Sequence, residues 1–156
     1  MARSRQKSKG RQESGPFIAL PLHILESPEY SEIPLPSLKL LIDLLSQYNG
    51  FNNGDFCAAW TLMEPKGWRS RDTLARAIRD LLARGWIIKT RQGGRHKASL
   101  YAVTWKPIDD CKGKLDVSAT KVASNAWRNP RANSETRQTC CIDTSVVPFP
   151  KLKRSA

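Results

Sequence analysis

Residues 67–105 read GWRSRDTLARAIRDLLARGWIIKTRQGGRHKASLYAVTW, and this stretch decides the expected fold. It opens near Ser70, whose hydroxyl can cap a helix by accepting a hydrogen bond from a backbone N–H of the first turn. Apolar residues then recur on one stripe of that helix: Leu74, Ala77, Ile78, Leu81 and Leu82. Gly85 follows, where a helix end favours a left-handed residue. The pattern predicts a helix over residues 70–84.

Two strand-like runs follow this helix directly. WIIKTR at residues 86–91 is rich in β-branched residues, and ASLYAVTW at residues 98–105 alternates along its length. The run QGGRHK lies between them and predicts a hairpin turn, in which Gly93 and Gly94 allow positive φ. A helix followed at once by a hairpin is therefore expected.

Two further helices are expected upstream. Residues 36–48 are densely apolar, begin with a proline and are followed by Asn-Gly, which predicts a buried first helix. A short extended segment around residues 55–57 and a second helix near residues 58–64, broken at Pro65, complete the set. A short helical turn is expected over residues 22–27, before Pro28.

Length and composition indicate one folded domain between polar ends. The chain of 156 residues suits one core of roughly 100 residues. The ends are too polar to bury a core. The expected organisation is a disordered basic arm over residues 1–16, a folded domain over 17–108, an irregular strap over 109–127 and a flexible tail over 128–156.

The positive charge is unevenly distributed. Lys and Arg number 26 against 14 Asp and Glu, which gives a formal net charge of +12 and a pI near 10.0. Residues 1–16 carry a net +4, residues 17–65 a net −5, residues 66–97 a net +8 and residues 98–156 a net +5. A polyanion is therefore the expected partner, with nucleic acid favoured over an anionic membrane.

The cysteines and apolar runs point to a soluble cytoplasmic protein without a metal. Cys57, Cys111, Cys140 and Cys141 lack CxxC spacing, and they lie apart from His23 and His96, so reduced thiols are expected. No apolar run approaches the ~18 residues that cross a bilayer. No phosphate-binding GxxxxGK[ST], HExxH or nucleophile elbow is present, so neither catalysis nor a cofactor is expected.

These elements resemble the winged helix-turn-helix proteins of bacterial mobile elements such as prophages, plasmids and integrative elements. They are more distantly similar to the winged domains of plasmid and phage replication initiators. The resemblance spans about residues 17–105 and rests on FIALPLHIL, LPSLKLLIDLLSQYNG, GWRSRDTLARAIRDLLARGWI and the Gly-Gly turn, with WKPIDDCKGKLDV similar to the continuation. It implies a mostly α fold of the α+β class, with a three-helix core, a two-stranded wing and flexible basic tails.

The same resemblance implies binding of double-stranded DNA through the third helix and the wing. Arg76 and Thr73 are expected to read bases in the major groove, Arg76 by a bidentate contact to guanine. The other expected DNA-binding residues are Arg69, Ser70, Arg71 and Arg79 on the helix and Lys89, Arg91, Arg95, His96 and Lys97 on the wing. The implied role is a transcriptional regulator or replication accessory factor associated with the nucleoid.

Two alternatives remain open at this point. The domain could be a protein-interaction module that inhibits or modulates a host nucleic-acid-binding complex through the acidic residues 17–65. It could instead bind RNA or single-stranded DNA without sequence preference, with tryptophans as stacking platforms. Because these tryptophans border predicted elements, the core is their expected place: Trp60, Trp68, Trp86 and Trp105. A homodimer that reads two half-sites is also left open.

Overall fold

The computed structural model describes residues 17–129. The expected basic arm over residues 1–16 lies outside the described residues, as does the expected tail from residue 130 onward, with Cys140 and Cys141. The helices are α1 (Leu22–Leu25), α2 (Pro28–Ser31), α3 (Leu35–Leu45), α4 (Trp60–Met63) and α5 (Arg71–Ala83), and the strands are β1 (Phe56–Cys57), β2 (Ile87–Arg91) and β3 (Leu100–Val103). Short 3-10 turns occur at Glu64–Lys66, Cys111–Gly113 and Ala126–Arg128. The described part of the chain is thus a mixed α+β fold.

The sheet has three antiparallel strands in the order β1-β3-β2, so the expected count of two strands is wrong. Phe56 pairs with Tyr101 and Cys57 with Leu100. The side-chain amide of Gln47 extends this ladder, because its Nε2 donates to the Cys57 carbonyl at 2.9 Å and its Oε1 accepts from the Cys57 N–H at 2.9 Å. The sequence predicts a short extended segment around residues 55–57, and the pairing with β3 makes part of it a strand of the sheet.

β2 and β3 form the hairpin, with Ile87 opposite Val103. All four residues of β3 are buried, because this central strand lies between β1 and β2. In β2, Ile87 and Thr90 are buried and the other three residues are more exposed, and the register shifts between Lys89 and Arg91. The hairpin is therefore anchored by β3 and presents part of β2 to solvent.

The hairpin turn is built differently from the sequence-based expectation. Gly94 donates its N–H to the Lys97 carbonyl at 2.8 Å and accepts from the Lys97 N–H at 3.3 Å. Neither Gly93 nor Gly94 has a positive φ, so that prediction is wrong. Gly93 instead permits close approach, since a Cβ there would lie 2.6 Å from a backbone nitrogen of the opposite arm. The tip between the paired residues consists of Arg95 and His96.

α5 begins and ends as the sequence predicts. The Ser70 hydroxyl accepts from the Thr73 N–H at 3.4 Å, so Ser70 is the N-cap. Gly85 adopts a left-handed φ of 72°, and the Trp86 N–H donates back to the Leu81 carbonyl at 3.0 Å. This is the Schellman arrangement, which satisfies a carbonyl at the helix end and turns the chain sharply into β2.

The described residues contain five α-helical segments rather than the three-helix core expected. The expected turn over residues 22–27 contains α1, but a second one-turn helix starts immediately at Pro28. Ser27 caps α2 by accepting from the Tyr30 N–H at 3.3 Å, with Pro28 in the first turn. Proline starts this helix because its fixed φ is helical and its missing N–H has no partner to lose there.

A buried asparagine joins the sheet to the segment that follows it. Asn53 is fully buried, and its Nδ2 donates to the carbonyls of Val103, Lys106 and Pro107 at 3.1, 3.1 and 2.8 Å. Its Oδ1 accepts from the Val103 N–H at 2.9 Å. Asn53 thereby satisfies backbone groups where β3 ends and the chain turns away.

An aromatic cluster holds both ends of the described chain against the hairpin. Trp127 stacks on Trp86 with ring centroids 5.0 Å apart and an interplanar angle of 17°. Trp105 and Tyr30 meet Trp86 edge-on, with centroids 5.9 and 6.4 Å away. His23 stacks on Trp127 at 6.5 Å. The cluster therefore connects α1, α2, the end of α5 and the segment after β3.

The Trp127→Ala substitution is expected to lower the free energy of unfolding by about 3–5 kcal/mol, because it removes a buried ring from this cluster. Chemical denaturation monitored by far-UV circular dichroism measures the change. Val122→Ala is the control, because Val122 is 77% exposed and its loss is expected to stay within about 0.5 kcal/mol. Equal effects of the two substitutions would show that the cluster does not stabilise the fold.

Candidate nucleic-acid interface

The inner face of α5 is buried, which leaves its outer face to solvent. Leu74, Ala77 and Leu81 are at most 4% exposed and belong to the same core as Leu40 and Leu44 of α3. The outer face of α5 and the two residues before the helix carry the polar side chains predicted to bind DNA, and all of them are exposed: Arg69, Ser70, Arg71, Thr73, Arg76 and Arg79. The amphipathic pattern of the helix thus determines which side chains a ligand can reach.

Asp43 on α3 fixes the loop that leads into α5. Its carboxylate Oδ2 accepts from the Trp68 Nε1 at 2.8 Å and from the Lys39 Nζ at 2.7 Å. The Lys66 Nζ donates to the Asp43 carbonyl at 2.9 Å, and the Lys39 Nζ lies 5.2 Å from the Trp68 ring centroid. These contacts orient the first turn of α5. They also mean that Lys66 serves the fold rather than the exposed basic surface.

The arginines of α5 have different surroundings. The Arg71 guanidinium lies 5.5 Å from the centroid of the half-buried Trp60 ring, a cation–π arrangement. Arg76 Nη2 forms an ion pair with Asp72 Oδ2 at 2.6 Å. Arg79 Nε donates to the Ala75 carbonyl one turn earlier at 3.3 Å. All three are expected DNA-binding residues, but the contacts of Arg71 with Trp60 and of Arg76 with Asp72 are not apparent from the sequence pattern.

The residues predicted on the wing separate into two groups. Arg91 is half-buried, and its Nε and Nη2 donate to the Ala98 carbonyl at 3.3 and 3.0 Å, so it braces the hairpin. Lys89 is exposed and donates to the Gln92 Oε1 at 3.0 Å. The second group lies at or beside the tip, and its side chains are all exposed: Arg95, His96 and Lys97.

Most of the tryptophans are core residues. Trp68, Trp86 and Trp105 are 5%, 1% and 8% exposed, which confirms the expectation that they fill the core. Trp60 is half-buried and covered on one side by Arg71. A nucleobase therefore cannot stack on the first three rings without unfolding the domain.

One cleft of the described residues lies away from α5. Its volume is about 670 Å³, and its lining includes Asp55, Asp109, Asp110 and Cys111. Burial raises the pKa of the Cys111 thiol, and the nearby Asp55 and Asp109 raise it further. The thiol therefore stays protonated at neutral pH, the form that is a poor nucleophile.

Three further observations concern metals, disulfides and membranes within residues 17–129. No three His, Cys, Asp or Glu side chains in this range are grouped to hold a metal ion. Cys57 and Cys111 are free thiols. No helix in this part of the chain is long and apolar enough to cross a membrane.

Comparisons with known proteins add no relative. No protein-family model, no curated protein sequence and no solved structure matches the chain. The geometry and charge of the exposed residues described above are therefore what indicates a function.

Two substitutions at Ser70 are expected to separate its capping role from its place on the basic surface. Ser70→Ala removes the cap and is expected to lower the free energy of unfolding by about 1 kcal/mol. Ser70→Asp keeps a capping oxygen and favours the helix dipole, so stability is expected to be retained. The aspartate adds a negative charge beside Arg69 and Arg71, so Ser70→Asp is expected to weaken binding to a DNA duplex more than Ser70→Ala does.

Thermal denaturation and fluorescence anisotropy with a labelled duplex measure these two effects. The paired variants serve as each other's controls, because one changes the cap and the other the charge. We expect the less stable Ser70→Ala protein to bind the duplex more strongly than the Ser70→Asp protein does. The opposite order would show that the first turn of α5 does not face DNA.

Proposed function

We propose that this protein is a non-enzymatic, sequence-specific binder of double-stranded DNA, with α5 in the major groove and the hairpin tip on the phosphate backbone. The observation that carries the proposal is the exposed cationic surface on these two elements. Residues 66–97 hold a net +8, and the side chains at Arg69, Arg76, Arg95 and Lys97 are exposed. Clustered positive charge on a helix face and an adjoining hairpin is the footprint of a nucleic-acid site.

The shape of α5 supports insertion into a groove. It has 13 residues, which gives a length of about 20 Å, and its outer face carries short and long polar side chains side by side. Thr73 is short enough to bring the helix close to base edges, and Arg76 is long enough to reach a guanine. B-DNA has a major groove about 12 Å wide, which accommodates such a helix.

The surroundings of the basic residues suggest a division of labour. Arg71, braced on Trp60, and Arg95 and Lys97 at the tip are suited to phosphates, which require only a positive charge within reach. Thr73 and Arg76, on the outer face of the first two turns of α5, are suited to bases. Arg91 is a weaker candidate than the other predicted wing residues, since its guanidinium already donates to the Ala98 carbonyl.

The order of the elements supports a winged helix-turn-helix as the form of this binder. α3, α4 and α5 precede the hairpin, as the resemblance requires, and the short β1 adds a third strand to the wing's sheet. On this proposal the protein is a transcriptional regulator or replication accessory factor of a bacterial mobile element, associated with the nucleoid. Binding of single-stranded nucleic acid has less support, because Trp68, Trp86 and Trp105 are buried.

A protein-interaction module is the second candidate, and one observation favours it. α1 exposes Leu22 and Leu25 at 65% and 41%, next to the exposed Glu26. Apolar side chains bordered by negative charge suit a basic, partly apolar partner surface. If the protein is such a module, we expect its complex with a host protein to persist after neutralisation of Lys89, Arg95 and Lys97.

Two substitutions are expected to affect DNA binding in different ways. Arg76→Ala is expected to cost about 1–3 kcal/mol on the preferred duplex and little on unrelated duplexes, because it removes a base contact. Arg95→Ala is expected to weaken binding to all duplexes alike and to reduce the slope of log affinity against log salt by about 0.9, because it removes one phosphate contact. Selection from a random duplex library, followed by anisotropy at 50–200 mM salt, measures both.

Lys121→Ala is the matched control for charge, because Lys121 is exposed on the segment after β3 and lies outside the proposed interface. Its effect on affinity and on the salt slope is expected to be small. Equal losses from all three variants on preferred and unrelated duplexes would contradict sequence-specific binding by α5.

A further inference from the structure

We propose that Asp72 is a positioning residue that directs Arg76 toward a base edge and away from the phosphate backbone. This inference rests on the proposed function, because it concerns how the same surface discriminates between sequences. It assigns a role in DNA binding to an acidic residue, whose charge alone opposes association with a polyanion.

The ion pair between Asp72 and Arg76 restricts where the guanidinium lies. Asp72 and Arg76 are one helical turn apart, and Asp72 Oδ2 accepts from Arg76 Nη2 at 2.6 Å. Both side chains are mostly exposed, at 62% and 74%. An arginine on a helix surface otherwise samples many rotamers, and this contact draws the guanidinium toward the first turn of α5, where Thr73 lies.

The guanidinium of Arg76 has more donors than the ion pair uses. Arginine has five N–H donors in a planar fork, and the contact to Asp72 uses the Nη2 side. Donors on the remaining part of the fork stay available for the O6 and N7 atoms of a guanine. The carboxylate thus restricts the orientation of Arg76 without consuming its capacity for a bidentate contact.

The negative charge of Asp72 affects how Arg76 interacts with phosphates. A free arginine on this face can pair with any phosphate within reach, which adds affinity without sequence information. Asp72 disfavours that alternative, because its own negative charge repels the phosphates near it. The predicted result is lower affinity for random DNA together with sharper preference at the base pair that Arg76 contacts.

A second ion pair, at the other end of α5, has different surroundings from the Asp72–Arg76 pair. Asp80 accepts from Arg84 Nε at 2.9 Å, but both side chains are about one-third exposed and Arg84 also lies 3.9 Å from Glu32 of the segment after α2. That pair connects α5 to the rest of the fold. The Asp72–Arg76 pair has no such tertiary contact among the described residues, so removing it leaves the core untouched.

The test compares Asp72→Asn with Glu26→Gln, a control that removes one exposed negative charge from the acidic segment. Base preferences are read by selection from a random duplex library, and the position at which Arg76→Ala loses a guanine identifies the contact. At that position Asp72→Asn is expected to reduce the preference for guanine by about twofold to tenfold. It is also expected to raise affinity for random duplexes, whereas Glu26→Gln leaves the preference unchanged.

A second measurement excludes a purely structural role. Asp72 also lies in the first turn of α5, where a carboxylate favours the helix dipole. Asp72→Glu keeps the negative charge, and its carboxylate can still reach Arg76. It is therefore expected to keep the guanine preference in full or in large part. Thermal denaturation of each variant shows whether a change in preference follows a change in stability.

The outcomes separate the inference from the proposed function. A guanine preference that depends on Arg76 but not on Asp72 overturns the inference alone. A guanine preference that falls equally in Asp72→Asn and Glu26→Gln also overturns it, because net charge is then sufficient. A wild-type protein that binds no duplex, or selects no sequence, overturns both.

Discussion

The packing of Trp86 determines how the hairpin sits against α5. Trp86 follows the left-handed Gly85, donates its N–H to the Leu81 carbonyl at 3.0 Å and is 1% exposed. Its carbonyl accepts from the Thr104 N–H at 3.2 Å, and its ring stacks on Trp127. Trp86 therefore takes part in the end of α5, in the start of the sheet and in the aromatic cluster. The burial of Trp86 therefore helps to fix the mutual orientation of the two elements proposed to bind DNA.

The surface charge depends on that frame in turn. Of the basic residues in 66–97, Lys66 is bound to α3, Arg84 to Asp80 and Arg91 to the opposite arm of the hairpin. The cations that remain exposed at the outer face of α5 and at the tip are thus fewer than the net +8 suggests. A count of charges in the sequence indicates the class of partner, whereas only the contacts distinguish structural cations from those available to a ligand.

Local signals in the sequence predicted the elements that bear the candidate site. The Ser70 cap, the apolar stripe and Gly85 act within a few residues of one another, so α5 could be found without tertiary information. The exposed face of that helix and its candidate residues follow from the same periodicity. Strong local signals of this kind are the most readable part of a sequence.

Features that depend on distant partners could not be predicted in the same way. β1 exists because Phe56 pairs with Tyr101, and Asn53 is buried because four backbone groups near the end of β3 need partners. Trp127 lies in a stretch without periodicity, and only its stacking on Trp86 shows that it belongs to the core. Freedom of φ is the usual reason for glycines in such a turn, whereas close backbone approach is what requires Gly93 here.

A map of the amides that contact DNA tests most directly whether α5 and the hairpin tip form the binding surface. Chemical-shift perturbation of isotope-labelled protein, titrated with its selected duplex, measures this residue by residue. Binding through α5 and the hairpin tip predicts perturbations concentrated in the first two turns of α5 and at residues 94–97, with α1 and α2 unchanged. Perturbations centred on α1 and α2, with none in α5, would contradict it.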